Sequence, residues 1–215
     1  MACTTRFERE ARRLGHCHVA GLDEAGRGCL FGPVFAAAVI LDPARPIRGL
    51  DDSKVLDAPV RHDLANAIRE RAVAWSVASV EARIIDRINI YQASRLAMKL
   101  ALDRLQPPPD FLLVDALTLE TTIPQRAIIH GDALSRSIAA ASILAKTERD
   151  MSMADWDRRY PGFGFQAHKG YGTPQHLDAL NRLGPTPDHR YSFLPVREAA
   201  GLIPRQMDLF SQEAS

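Results

Sequence analysis

The stretch HVAGLDEAGRG, residues 18–28, decides how this chain is read. It begins apolar, reaches two adjacent acids, Asp23 and Glu24, and runs into a glycine-rich turn from Gly26 to Gly32. A short apolar run ending in carboxylates reads as a buried strand whose end faces a site. PVFAAAVIL, 33–41, reads as a second strand, with Pro33 at its first position where a missing N–H does least harm. The spacing of Gly26, Gly28 and Gly32 comes close to a dinucleotide-binding fingerprint but fails twice. The third glycine is one residue late, and a strand rather than a helix follows. What remains is a turn whose backbone can approach a ligand closely, because glycine puts no side chain in the way.

Working outward, Asp42-Pro43 and Arg45-Pro46 mark a loop. Leu64, Ala67, Ile68 and Ala72 recur at helical spacing within 57–72, and AWSVASV, 74–80, alternates as a third strand. Residues 81–105 have helical periodicity with a break near Asn89, and Pro107-Pro108-Pro109 ends that helix. FLLVDA, 111–116, and RAIIHGD, 126–132, are apolar runs ending in Asp115 and Asp132, again like buried strands. A long alanine-rich helix is expected from Ala133 to Tyr160, then a glycine- and proline-rich loop over 161–174. Short helices at 175–183 and near 196–202 complete the body. Helix–strand alternation in the second half predicts an α/β layer architecture with a mixed sheet.

With 215 residues, 46% hydrophobic and 25% charged, the chain fits one compact domain or one domain with a small appendage. No apolar run approaches the ~20 residues that span a bilayer, so no membrane role is expected. The N-terminus mixes both charge signs without a continuous apolar core, which does not fit a signal peptide. Cys3, Cys17 and Cys29 form no C-x-x-C pair and read as reduced thiols in a cytoplasmic protein. A net charge of +1 does not advertise nucleic-acid binding. A site that bridges phosphate through metal ions on carboxylates needs less basic surface, however.

Asp23, Glu24, Asp115 and Asp132 each stand at the end of an expected strand or on the turn after it, where α/β sheets bind ligands. Alone, Asp115 and Asp132 would read as turn residues, and Asp132 as the cap of the helix that follows. Adjacent acids at a buried strand end repel unless a cation neutralises them, which favours a metal site. Mg²⁺ and Mn²⁺ prefer such oxygen ligands, and two ions can activate water and stabilise the leaving oxygen of a phosphodiester.

LDEAGRG, 22–28, resembles the signature of the ribonuclease HII family. The resemblance continues through Gly32-Pro33 and Ala36 to Leu41, then Asp52-Ser53-Lys54-x-Leu56 and Val114-Asp115. It runs on through Gly131-Asp132, Ser137 to Lys146, Arg149-Asp150 and His168-Lys169-Gly170-Tyr171-Gly172-Thr173, covering roughly 18–195 in family order. Ala116 departs from the glycine usual after the third acid, and 117–125 resembles nothing placeable. The resemblance implies a ribonuclease H-like fold: a five-stranded mixed sheet flanked by helices, with a small helical C-terminal extension. It divides the chain into a catalytic domain at 1–160, an extension with a substrate-contacting loop at 161–204, and a flexible tail at 205–215. It makes Asp23, Glu24, Asp115 and Asp132 the catalytic acids holding two Mn²⁺ or Mg²⁺ ions. Gly26-Arg27-Gly28 would read the ribose 2′-OH, Tyr171 would pack on the sugar 3′ of the cut, and Lys54 and Lys146 would contact phosphates. The implied activity cuts 5′ of ribonucleotides embedded in duplex DNA and the RNA strand of RNA–DNA hybrids, leaving 3′-OH and 5′-phosphate ends. A monomer is expected.

Two other classes compete. A type 1 ribonuclease H or a Holliday-junction-type nuclease would keep scattered acids but not LDEAGRG or the Lys-Gly-Tyr-Gly loop. A non-catalytic nucleic-acid-binding module would have no use for all four carboxylates, which repel phosphate. His168 and His176 read as structural or surface residues. Near the end, Gln206-Met207-Asp208-Leu209-Phe210 places apolar side chains on a polar terminus. Leu209 and Phe210 could fold back onto the body. Alternatively the pentapeptide, which resembles the motif by which bacterial replication proteins bind the sliding clamp, would offer Gln206, Met207, Leu209 and Phe210 to that partner.

Overall fold

A computed structural model describes residues 3–204. Its centre is a five-stranded sheet in the order β3-β2-β1-β4-β5. β1 (Val19–Ala25), β2 (Val34–Ile40) and β3 (Ala74–Val80) are antiparallel neighbours. β4 (Phe111–Asp115) and β5 (Gln125–Ile128) continue the sheet in parallel from β1. The mixed α/β sheet expected from the sequence is therefore the one observed.

Burial follows the composition of the strands. β2 buries Ala36, Ala37, Ala38, Val39 and Ile40, because both of its faces are covered. β3 stands at an edge and alternates, with Ala74, Ser76, Ala78 and Val80 buried and Trp75 exposed. On one face the sheet packs against α3 (Ala82–Ile88) and α4 (Ile90–Leu102) through Ile85, Met98 and Leu102. The expected break at Asn89 is present: its φ is 66°, and its side chain accepts from Gln92 N at 3.0 Å, capping α4. The other face packs on α2 (Ala58–Arg71) and the long α6 (Arg136–Arg159).

α6 lies unusually close to the sheet. A Cβ on Gly21 of β1 would come within 2.0 Å of the Ser137 carbonyl carbon, so only glycine fits under this helix. α1 (Arg6–Arg13), which periodicity did not reveal, holds the same end of α6. Buried Glu8 accepts from Ser135 Oγ at 2.7 Å and Ser137 N at 2.8 Å. α7 (Phe165–His168), α8 (Pro174–Leu183) and α9 (Leu194–Ala199) close a smaller core around Phe31, Phe165, Leu180 and Val196.

Three expectations need correction. β1 runs past Asp23 and Glu24, so these acids lie within the strand and not at its end. β5 stops at Ile128, and Asp132 sits on a separate helical turn, α5 (Gly131–Leu134). The cap of α6 is Ser135, whose Oγ accepts from Ile138 N at 3.3 Å, so Asp132 is released from that duty. The unplaced segment 117–125 is a packed loop: Leu117 and Leu119 are buried, and the Gln125 side chain exchanges two 2.8 Å hydrogen bonds with the Leu119 backbone. Gln206, Met207, Leu209 and Phe210 lie outside the described residues. Among those described, no helix is long and apolar enough to cross a membrane.

Gly21→Ala should destabilise the protein by about 3 kcal/mol, because the added carbon meets backbone that cannot rotate away. Urea denaturation measures this; an unchanged midpoint would show that α6 can lift without loss.

Candidate active site

β1 and β4 bring the first three acids together. Leu22 is in register with Val114 on the parallel neighbour, so Asp115 emerges beside Asp23. Opposite Asp23 and Glu24 on β2 stand the small residues Ala37 and Ala36. Gly131 N donates to Asp115 Oδ1 at 2.7 Å, which ties α5, and with it Asp132, to the end of β4. A Cβ on Gly131 would lie 2.6 Å from Ile138 Cδ1 and 3.2 Å from Asp115 Oδ1, so a larger residue here would have to push the Ile138 side chain aside. Ala116 has φ 49°, a left-handed conformation costing an L-residue roughly 1–2 kcal/mol. Glycine would adopt it without that cost.

A cleft of about 290 Å³ gathers Asp23, Glu24, Gly26, Arg27, Gly28, Lys54, Asp115, Lys146 and Tyr171, with Ser53 and Ser142. Asp132 joins this set through Lys54, whose Nζ donates to Asp132 Oδ2 at 2.9 Å. Lys146 Nζ donates to Asp150 Oδ1 at 2.7 Å and stands 5.8 Å from the centre of the Tyr171 ring. Tyr171 is 40% exposed, so it is no core aromatic.

The acids are electrostatically unhappy with one another. Burial, then the charges of Glu24 and Asp115, push the Asp23 carboxyl well above the usual carboxylate range. The Ser142 hydroxyl and the Glu24 N–H oppose that rise, and Ser142 is in turn 2.9 Å from Ser53 Oγ. Burial also raises Glu24, against the pull of Arg27, whose Nη1 lies 3.2 Å from Glu24 Oε1. Asp115 is raised by burial and by Asp132, with the Gly131 N–H opposing. Glu24 Oε2 is buried without a hydrogen-bond partner. Among the described residues, no three acidic, histidine or cysteine side chains already surround a common point at ligand distance. Arg27 and Lys54 instead each hold one of the carboxylates. The donor set is nonetheless all carboxylate oxygen, including an orphaned one, and that suits a hard divalent cation.

Two arginines that sequence reasoning did not connect with the turn support it from beneath. Arg190 is fully buried; its Nε donates to Gly32 O at 2.9 Å and its Nη1 to Arg27 O at 2.8 Å. Burial pushes its pKa down to about 10. Arg149, also fully buried, fills the space beside Gly26, where a Cβ would come within 2.1 Å of Arg149 Nε. Its guanidinium carbon lies 5.7 Å from the Tyr171 ring centre. Arg149 falls within the family resemblance, but a basic residue on a helix reads as solvated until its burial is seen.

Residues 20–196 match the family model described as Ribonuclease HII. The chain belongs to the ribonuclease HII family. The ribonuclease HII of Solibacter usitatus (strain Ellin6076) is 59% identical over 212 residues, covering 97% of this chain and 92% of that protein. The crystal structure of the ribonuclease H2 from Pyrococcus horikoshii OT3 is similar with a TM-score of 0.74 at 25% identity, covering 86% of this chain and 98% of that one. The structure of the PCNA:RNase HII complex from Archaeoglobus fulgidus is similar with a TM-score of 0.65 at 24% identity, covering 88% and 98%. Membership of the ribonuclease HII family makes the chain a ribonuclease H-type endonuclease, a hydrolase of nucleic acid.

In this family member, the folded-state pKa values of Asp23, Glu24 and Asp115 lie above their unfolded values. Their penalty is absent below the unfolded carboxylate range and grows as pH rises through the raised folded values. Asp23→Asn should therefore raise the melting temperature of metal-free protein near neutral pH by roughly 3 °C for each ~1 kcal/mol relieved. The gain should vanish below about pH 4. Calorimetry across that range checks it; a loss of stability at neutral pH would contradict the repulsion.

Proposed function

We propose that this chain cuts the phosphodiester on the 5′ side of ribonucleotides embedded in duplex DNA, and the RNA strand of RNA–DNA hybrids. The products carry 3′-hydroxyl and 5′-phosphate ends. The observation that carries this reading is a single cleft containing Asp23, Glu24 and Asp115 together with the Gly26–Gly28 turn and Tyr171. Asp23, Glu24, Asp115 and Asp132 would hold two Mn²⁺ or Mg²⁺ ions, whose chemistry when bound is activation of water and stabilisation of the leaving 3′ oxygen.

The protein's own groups do the positioning. Ser142 and the Glu24 N–H hold Asp23, and the Gly131 N–H holds Asp115. The backbone of Gly26–Gly28 approaches the ribose and reads its 2′-OH, the group that separates RNA from DNA. The Tyr171 ring packs on the sugar 3′ of the cut. Lys54, on an exposed stem, can swing from Asp132 to a phosphate, and Lys146 serves a second phosphate from beside Tyr171.

A labelled duplex with one ribonucleotide tests this. Cleavage should require a divalent metal and stop on chelation; a 2′,3′-cyclic phosphate product would overturn the mechanism. The two glycines of the turn should behave differently. A Cβ on Gly28 meets nothing within 4 Å, so Gly28→Val should keep its melting temperature yet lose roughly a hundredfold in activity by keeping the ribose away. Gly26→Val must displace Arg149 and should lose stability as well. A folded, fully active Gly28→Val would remove the turn from substrate reading.

The tail supports a second, separable proposal. The Archaeoglobus fulgidus relative is known in complex with PCNA, and Gln206-Met207-Asp208-Leu209-Phe210 resembles a clamp-binding peptide. We infer that it tethers the enzyme to a sliding clamp and raises its local concentration on DNA. Calorimetric titration of the full chain into purified bacterial clamp should give micromolar-range binding. Binding should be lost in the Leu209→Ala, Phe210→Ala double variant while short-duplex cleavage is unchanged; no heat with the parent chain would end the idea.

A further inference from the structure

The segment that leaves the Gly26–Gly28 turn lies between two pieces of the C-terminal part. Cys29 pairs antiparallel with Tyr171 on one side, and Phe31 pairs antiparallel with His189 on the other. Leu30 N donates to Gly170 O at 2.9 Å, and Leu30 O accepts from Arg190 N at 2.8 Å. The two flanks are joined to each other by imidazoles. His176 Nε2 lies 3.1 Å from His189 Nε2, and His176 Nδ1 lies 2.9 Å from Tyr171 O. Both rings are fully buried, among Phe31, Phe163 and Phe165.

The fixed donors and acceptors at the two ends allow one proton arrangement. Thr186 N–H donates to His189 Nδ1 at 2.9 Å, so in the neutral ring the proton sits on His189 Nε2. Tyr171 O can only accept, so His176 carries its proton on Nδ1 and leaves Nε2 free to accept from His189. Every ring nitrogen of the pair is then satisfied. Burial holds His176 at about 4 and His189 at about 3, so both rings are neutral near physiological pH. His168 stacks on His176 with ring centres 4.5 Å apart, accepts from Gly170 N at 3.2 Å and donates to Phe163 O at 2.8 Å. Two leucines would fill this space without the desolvation that two imidazoles suffer. What imidazoles add is direction, since a satisfied buried network admits one arrangement of its parts.

We propose that His176 and His189 are positioning residues, a hydrogen-bonded pair that closes a ring from the Gly26–Gly28 turn to Tyr171 and fixes the tyrosine relative to the turn. The proposal rests on the reading of Tyr171 as the residue that senses the sugar 3′ of the cut. Its role would be to make the two substrate-reading elements move as one body.

Two measurements on the full chain test it. Long-range nitrogen–proton NMR of histidine-labelled protein should place the His176 proton on Nδ1, the tautomer less favoured in free imidazole side chains, and the His189 proton on Nε2. A His176 proton on Nε2 would overturn the ring. In cleavage assays, His176→Leu should lower kcat/KM on a single-ribonucleotide duplex roughly ten- to hundredfold more than on an all-RNA hybrid. His176→Asn, which keeps a donor near the Nδ1 position, should restore most of that loss, and adding His176→Leu to Tyr171→Ala should cost little more. An unchanged substrate preference in Tyr171→Ala would overturn the reading of Tyr171 itself. A changed preference there with none in a folded His176→Leu would overturn the positioning role alone. Should His176→Leu fail to fold, the tautomers in the parent protein still decide whether the ring exists.

Discussion

The contact between Gly21 and the backbone of Ser137 is the constraint on which the site depends. With no side chain on Gly21, α6 lies directly against the middle strand of the sheet. Glu8 holds its first turn by accepting from Ser135 Oγ and Ser137 N. From that fixed start, residues four and three apart fall on one helical face. Ser142 meets Asp23, Lys146 reaches the cleft, and Arg149 packs beneath Gly26 and Tyr171. The same end of the helix places α5, so Asp132 is delivered beside Asp115 by the packing that seats α6. One close backbone approach thus sets the positions of residues from four separate stretches of sequence.

Charge is arranged in two layers around this helix. Above lie carboxylates whose burial and mutual repulsion leave them short of positive charge, eased by Arg27 and Lys54. Below lie Arg149 and Arg190, buried beneath the glycine turn, with Arg190 bonded to the carbonyls of Arg27 and Gly32. Buried guanidinium nitrogens with no partner, Arg149 Nε and Nη1 and Arg190 Nη2, make this a costly support. Mutually repelling buried acids and unpartnered buried guanidinium nitrogens both cost stability, and both are concentrated at this cleft and the turn beside it.

Much of this was legible in the chain. Period-2 alternation marked β3, the apolar run opened by Pro33 marked β2, and Asn89 marked the break between α3 and α4. Each of these depends on neighbours a few residues away. Elements whose evidence is not local were missed or misplaced. α1 is polar along most of its length; only Phe7 and Ala11 pack into the core, beside one buried glutamate, and that is too short an apolar pattern to stand out. The end of β5 looked like more strand because Ile129 is apolar, yet it is 73% exposed and the chain turns at His130, with φ 56°. Asp132 looked like a helix cap because the intervening break at Ser135 leaves no mark in composition.

The sequence by itself determined which residue types meet at the site, because carboxylates beside a glycine turn can be read from adjacency along one strand. It also determined the fold class, through periodicity and through motifs in family order. Only the tertiary structure decided which charges are buried and what they touch. Arg149, Arg190, His176 and His189 are ordinary polar residues in sequence, and solvation is their default. They become supports of the turn and of Tyr171 because α6 and the C-terminal segment close over them, and removal from water forces each polar atom toward a particular partner.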